Sequence, residues 1–178
     1  MRDTTGVSTD AADHYRHLIA LGRDEFLAAA APAALVRFRS ENDVEELAGS
    51  ETLTLDQGEV DETLPHGRMP MHDVELEVYP LIKKPGASFP DRITIGRTPN
   101  NDIVVPDHSI SRFHAYIRHG NGWYIADAGS KNGTWLGGVQ LVARRERALD
   151  SKATLRLGDV DLSFFLSIDL FEVLGGRR

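Results

Sequence analysis

Cysteine is absent from the 178 residues, which removes disulfides, thiolate nucleophiles and thiolate metal sites from the chemistry available. Long apolar runs are absent too: none approaches the ~18 residues that a membrane span needs. Met1 to Asp10 is polar and lacks the apolar stretch of a signal peptide. Together these absences lead us to expect a protein of the reducing cytoplasm. Aromatic residues make up only 7% of the chain, but a hydrophobic share of 41% is enough for a packed core. The formal net charge of −7 argues against general nucleic-acid binding, because phosphate backbones are met by Lys and Arg surfaces. Its distribution is uneven. Residues 1–72 carry 6 basic and 14 acidic side chains, whereas residues 73–178 carry 14 and 13. The second half is thus close to neutral and has room for a local positive pocket.

Three segments follow from the pattern of the chain. Within residues 10–30, Tyr15, Leu18, Ile19, Gly22 and Phe26 fall on one face of a helix, with Asp10 as candidate N-cap and Pro32 closing the run. Gly22 is a place where that helix divides in two. Ala33 to Phe38 is apolar, and periodicity does not decide between a strand and a helical tail. Residues 1–39 are therefore assigned to a helical N-terminal segment. Residues 40–72 are read as an acidic flexible linker: nine acidic and no basic residues lie between Ser40 and Gly67, with few bulky apolar side chains to offset chain entropy. From residue 73 to 173 short alternating runs recur, at Glu75–Tyr79, Arg92–Ile95, His114–Arg118, Trp123–Asp127, Thr154–Leu157 and Val160–Leu166. Turn signals such as Pro85-Gly86, Asn132-Gly133 and Gly137-Gly138 separate them. This texture predicts an all-β fold, a β-sandwich of about 10–11 short strands, followed by a tail over 174–178.

Three blocks on this scaffold carry small polar and basic residues at strand ends: Gly96-Arg97-Thr98-Pro99-Asn100-Asn101-Asp102-Ile103, Asp107-His108-Ser109-Ile110-Ser111-Arg112-Phe113-His114, and Asp127-Ala128-Gly129-Ser130-Lys131-Asn132-Gly133-Thr134. Loops on a rigid scaffold are where binding sites concentrate. An arginine in such a loop offers a planar, always charged fork that matches two phosphate oxygens, and a serine hydroxyl adds a short donor. Enzymatic motifs do not accompany them. Gly96-Arg97 is not followed by the Gly-Lys-Ser/Thr of a P-loop, and there is no Gly-x-Ser-x-Gly elbow, His-Glu-x-x-His or kinase set. His14, His17, His66, His72, His108 and His119 show no metal-ligand spacing backed by other groups. No metal, cofactor or turnover is expected. Trp123, Trp135, Phe164 and Phe165 are expected in the core.

In order and spacing the three blocks resemble the forkhead-associated (FHA) domain, a phosphothreonine-binding β-sandwich, over roughly residues 73–173. The resemblance implies a phosphopeptide-binding module of Ser/Thr kinase signalling, in which Arg97 and Ser111 grip the phosphate with help from Arg112. Asn132 is implied to hold the peptide backbone beside it. Lys131 stands where the family often has a small hydroxyl residue, and either touches the phosphate or faces acidic residues of the ligand. Gly96, His114 and Gly133 are implied as structural support, with His114 bracing the loop that carries Ser111. The partner expected is a phosphothreonine-containing protein, a Ser/Thr kinase or its substrate, with neither nucleic acid nor membrane. The rival reading is a phosphate-independent assembly or scaffold module, for instance of a secretion complex. Thr52, Thr54 and Thr63 in the acidic stretch are candidate phosphorylation sites, through which the chain would occupy its own pocket.

Overall fold

A computed structural model describes residues 7–40 and 74–176. Among these, eleven strands and three helices run in the order α1 (Val7–Leu21), α2 (Arg23–Ala29), β1 (Ala33–Ser40), β2 (Val74–Pro80), β3 (Ile93–Gly96), β4 (Ile103–Val104), β5 (Ala115–His119), β6 (Trp123–Asp127), β7 (Thr134–Leu136), β8 (Val139–Gln140), β9 (Arg147–Ala148), β10 (Thr154–Leu157), β11 (Val160–Leu166) and α3 (Ser167–Val173). The strands form a six-stranded sheet, β2-β1-β11-β10-β7-β8, and a five-stranded sheet, β4-β3-β5-β6-β9. Leu35, Leu155, Leu157 and Phe164 of the first sheet share one core with Ile95, Ile117 and Ile125 of the second. The predicted β-sandwich is the fold of this chain.

A second apolar cluster lies on the outer face of the six-stranded sheet. Ala34, Val36, Leu76, Val78 and Phe165 meet Ala12, Tyr15 and Leu18 of α1, Phe26 of α2, and Leu170 and Phe171 of α3. The rings of Tyr15, Phe26 and Phe171 pack edge to face or tilted, 5.7 and 5.2 Å apart. Strand β1 is therefore buried on both faces, Leu35 inward and Val36 outward, each fully shielded from solvent. A strand enclosed on two sides has no reason to alternate, which is why Ala33–Val36 carried no period-2 signal. The assignment of residues 1–39 to a helical segment is corrected accordingly: β1 sits between β2 and β11, inside the sheet.

Smaller corrections have equally local causes. Asp10 lies inside α1 rather than at its cap. Gly22, at φ 114°, does divide the helices, because a left-handed backbone cannot continue a right-handed helix. Residues 167–173 form a helix that returns onto the outer face, and Leu174, expected in a tail, is 6% exposed within the same cluster. Trp135 is half-buried outside the inter-sheet core and lines a groove with Phe38. No helix among the described residues is long and apolar enough to cross a membrane. The acidic stretch, with Thr52, Thr54 and Thr63, lies outside the described residues.

Candidate functional site

Strand β3 ends, β5 begins and β6 ends at the same end of the five-stranded sheet, since Ile95 pairs with Ala115 and Ala115 with Asp127. The three sequence blocks are the connections at this end. They enclose a cleft of about 920 Å³ whose lining includes Arg97, Ser111, Arg112, Phe113, Lys131 and Asn132. All five side chains expected to meet a phosphopeptide are thus brought together.

The loops are joined by backbone and neutral groups. The Arg97 N–H donates to the Ser111 carbonyl at 3.0 Å. Gly96 allows a close approach: a Cβ there would lie 2.2 Å from the Arg112 carbonyl oxygen. The buried Asn101 amide donates to that same oxygen at 2.6 Å and to the Thr98 carbonyl at 2.9 Å. His114 is fully buried; its Nδ1 accepts the Ser111 N–H at 3.0 Å and its Nε2 meets the Gly133 carbonyl at 2.9 Å. Because an N–H only donates and a carbonyl only accepts, the ring is neutral with its proton on Nε2. Burial holds its pKa below the ordinary histidine value, outweighing the Gly133 carbonyl that favours the charged form.

The β6–β7 loop is wound around one carboxylate. Asp127 accepts from the N–H groups of Gly129 and Ser130 (2.7 and 2.9 Å) and from the hydroxyls of Ser130 and Thr134 (2.6 and 2.7 Å). Burial alone would raise its pKa, but these bonds to the charged form hold it below the usual carboxylate range. Gly133, at φ 89°, adopts the backbone that this turn requires. The Lys131 N–H donates to the Ser111 hydroxyl oxygen at 3.0 Å, and the Asn132 amide donates to the Ser109 carbonyl at 2.8 Å. Ser111 thereby keeps its own O–H for a ligand, and Asn132 keeps its side-chain carbonyl and second N–H.

Arg97, Arg112 and Lys131 are exposed, and among the described residues their side chains have no hydrogen bond or ion pair. Asn101 and Asp127 were not singled out from the sequence. Their roles depend on which backbone groups come near, although Asp127 at a strand end two residues before Gly129 is a local signal for such a turn. With both ring nitrogens committed to the backbone, His114 is not placed to act as an acid or base. Among the described residues no group of three or more His, Cys, Asp or Glu is arranged to hold a metal ion.

The sandwich thus gathers three cations without a charged partner among the described residues, a hydroxyl and an amide on three braced loops at one end of a rigid β scaffold. Residues 93–158 match the family model of the FHA domain. The chain is similar to Protein FraH of Nostoc sp., 33% identical over 100 residues, which is 53% of this chain and 32% of that protein. It is also similar to the oxoglutarate dehydrogenase inhibitor of Corynebacterium diphtheriae, 36% identical over 72 residues, covering 40% of this chain and 48% of that one. The match thus spans about a third and about half the length of these curated relatives. Among solved structures, EmbR of Mycobacterium tuberculosis in complex with a low affinity phosphopeptide is 28% identical with a TM-score of 0.40, covering 43% of this chain and 20% of that one.

Proposed function

We propose that the loop-end cleft binds a phosphothreonine of another protein and releases it unchanged, so that the chain works as a signalling adaptor and not as an enzyme. The observation that carries this reading is the convergence of Arg97, Arg112 and Lys131, without carboxylate partners among the described residues, on a cleft that also presents the Ser111 hydroxyl. A phosphothreonine brings roughly −1.5 to −2 charges and three strong acceptor oxygens, which such a set satisfies. Arg97 takes two phosphate oxygens, Ser111 a third, Arg112 adds charge, and Asn132 reads the adjoining peptide bond with its unused donor and acceptor. The FHA match supports this assignment. We place the function in the cytoplasm, where ATP-dependent Ser/Thr kinases generate such ligands.

One titration tests it, with a threonine peptide, its phosphorylated form and a phosphoserine form. Binding is expected only with phosphate, and phosphoserine is expected to bind more weakly, since loss of one methyl is worth about 1–3 kcal/mol. Equal affinity for bare and phosphorylated peptide refutes the reading in favour of phosphate-independent assembly. We also propose that phosphorylated Thr52, Thr54 or Thr63 competes for the cleft from within the chain, where tethering gives effective concentrations on the order of millimolar. Replacing all three threonines by alanine should then raise affinity for a reference phosphopeptide when a kinase is present. Unchanged affinity removes this self-capture.

A further inference from the structure

The chain contains two Asn-Gly pairs, Asn121-Gly122 and Asn132-Gly133, and the fold treats them differently. Such a pair is open to loss of the side-chain amide, because a glycine has no Cβ to keep its backbone nitrogen from the asparagine Cγ. At Asn132-Gly133 both reacting groups are tied down. The Gly133 N–H donates to the Ser130 hydroxyl oxygen at 2.9 Å, and the Asn132 amide donates to the Ser109 carbonyl at 2.8 Å. The other pair stands at the opposite end of the sandwich. Gly120, Asn121 and Gly122 turn the chain between β5 and β6, whose last pair is His119 with Trp123. The Gly120 N–H donates to the Gly122 carbonyl at 2.9 Å and closes this turn. Asn121 is exposed, and among the described residues the Gly122 N–H has no hydrogen-bond acceptor. The Asn121 Oδ1, however, accepts from the Tyr124 hydroxyl at 3.0 Å. A Cβ on Gly122 would lie 3.7 Å from that same hydroxyl, so the phenol sits against the turn. The Arg118 guanidinium packs 4.9 Å from the Tyr124 ring and is itself held by Glu146 at 2.6 Å.

We infer that Asn121 is a site of spontaneous covalent modification, deamidating through a succinimide formed with Gly122 and assisted by the Tyr124 hydroxyl. The Gly122 nitrogen gives its proton to water or hydroxide and bonds to Asn121 Cγ. Negative charge gathers on Oδ1, where the Tyr124 O–H is already aimed. The Cγ–Nδ2 bond then breaks and the nitrogen leaves as ammonia, taking up one proton, so the ring differs from the starting chain by ammonia alone. Water next adds to either carbonyl of the ring and leaves aspartate or isoaspartate at position 121. No oxidant or cofactor enters. The product carries one more negative charge, and it carries it away from the cleft, because β5 begins and β6 ends at the cleft while this turn joins their other ends.

The test incubates the full folded chain at pH 7.5 and follows both asparagines by peptide mass spectrometry. An isoaspartyl methyltransferase with a labelled methyl donor gives a second reading. Amide loss at Asn121 is expected to outrun that at Asn132 by roughly tenfold, since a hydrogen bond must break before the Gly133 nitrogen can attack. In concentrated urea the two pairs should react at similar rates. Tyr124→Phe keeps the ring under Arg118 and removes the hydroxyl. It should slow the loss at Asn121 by roughly three- to tenfold in the folded chain, the worth of one exposed hydrogen bond, and leave the rate in urea as it was. A hydroxyl that only clamped the turn would make Tyr124→Phe lose the amide faster, and that result overturns the assistance by Tyr124, as does an unchanged rate. Equal loss at the two asparagines of the folded chain, or faster loss at Asn132, overturns the assignment of the site itself.

Discussion

The flanks of the sandwich and its loop end treat positive charge in opposite ways. On the flanks, Arg118 meets Glu146 at 2.6 Å, Arg156 meets Asp161 at 2.9 Å and Arg92 meets Asp91 at 2.7 Å. At the loop end, Arg97, Arg112 and Lys131 line one cleft with no acid among the described residues to balance them. Like charges held together repel, so the fold must keep these loops in place by other means. It does so with groups that add no positive charge: the neutral His114 ring, the Asn101 amide and the Asp127 carboxylate, which is already occupied by four donors. Bracing thereby falls to residues other than the three cations, which are left for ligand capture in the proposed function.

The sharpest way to break this contrast is to remove one cation from each region. Arg97→Ala is expected to weaken phosphopeptide binding by on the order of 100-fold, the loss of a two-pronged charge-assisted contact, with the melting temperature almost unchanged. Calorimetric titration and thermal denaturation read the two quantities. Next in size, Asp127→Ala removes the centre of the β6–β7 loop and should cost about 2–4 kcal/mol of stability in urea denaturation, because it leaves the buried Thr134 hydroxyl and three partly buried donors without a partner. A smaller effect comes from pH. The folded-state pKa values of His114 and Asp127 both lie below their ordinary values of 6.5 and 3.8. Each therefore contributes stability that is complete above the ordinary value and is lost as pH falls towards the folded one. The urea midpoint should drop between pH 7.5 and pH 5, and nitrogen NMR shifts at pH 7.5 should show His114 neutral and protonated on Nε2. The smallest effect belongs to the flank: Arg156→Ala should leave the urea midpoint almost unchanged, since both it and its partner Asp161 are exposed, and should leave phosphopeptide affinity as it was. A large loss of affinity in Arg156→Ala would erase the distinction between flank and loop end.

The parts of the fold that were legible in the sequence are those where polar residues interrupt the apolar ones along a strand, as Glu75, Glu77, Arg156, Asp161 and Ser163 do. β2, β5, β6, β10 and β11 alternate or nearly do, and they lie within two residues of where the pattern put them. β1 was undecided because burial on both faces erases its period. The two-residue strands β4, β8 and β9 are too short to carry a period at all. The candidate site was legible where its residues stand in ordered blocks, as for Arg97, Ser111 and Asn132. It was not legible where a residue acts on backbone far along the chain. Asn101 reaches the Arg112 carbonyl across eleven positions. Phe89 lies twenty-four positions from Phe113, so only folding reveals that their rings stack.

Strand β1 enters the sheet from one side of residues 41–73, and β2 enters from the other, with Ser40 opposite Val74. β1 is also bonded to β11, and its outer face is clamped by α1, α2 and α3. A peptide bond cut anywhere between Ser40 and Val74 would divide the chain into two pieces and yet leave one folded body, because the shorter piece supplies a strand from the middle of the sheet and is held there on both edges. The converse holds for an excised fragment starting at residue 74. It would keep every residue of the cleft but leave β2 without its neighbour and β11 with a bare edge, a template for pairing with other chains. Working boundaries for this domain therefore begin upstream of the acidic stretch, at the helices.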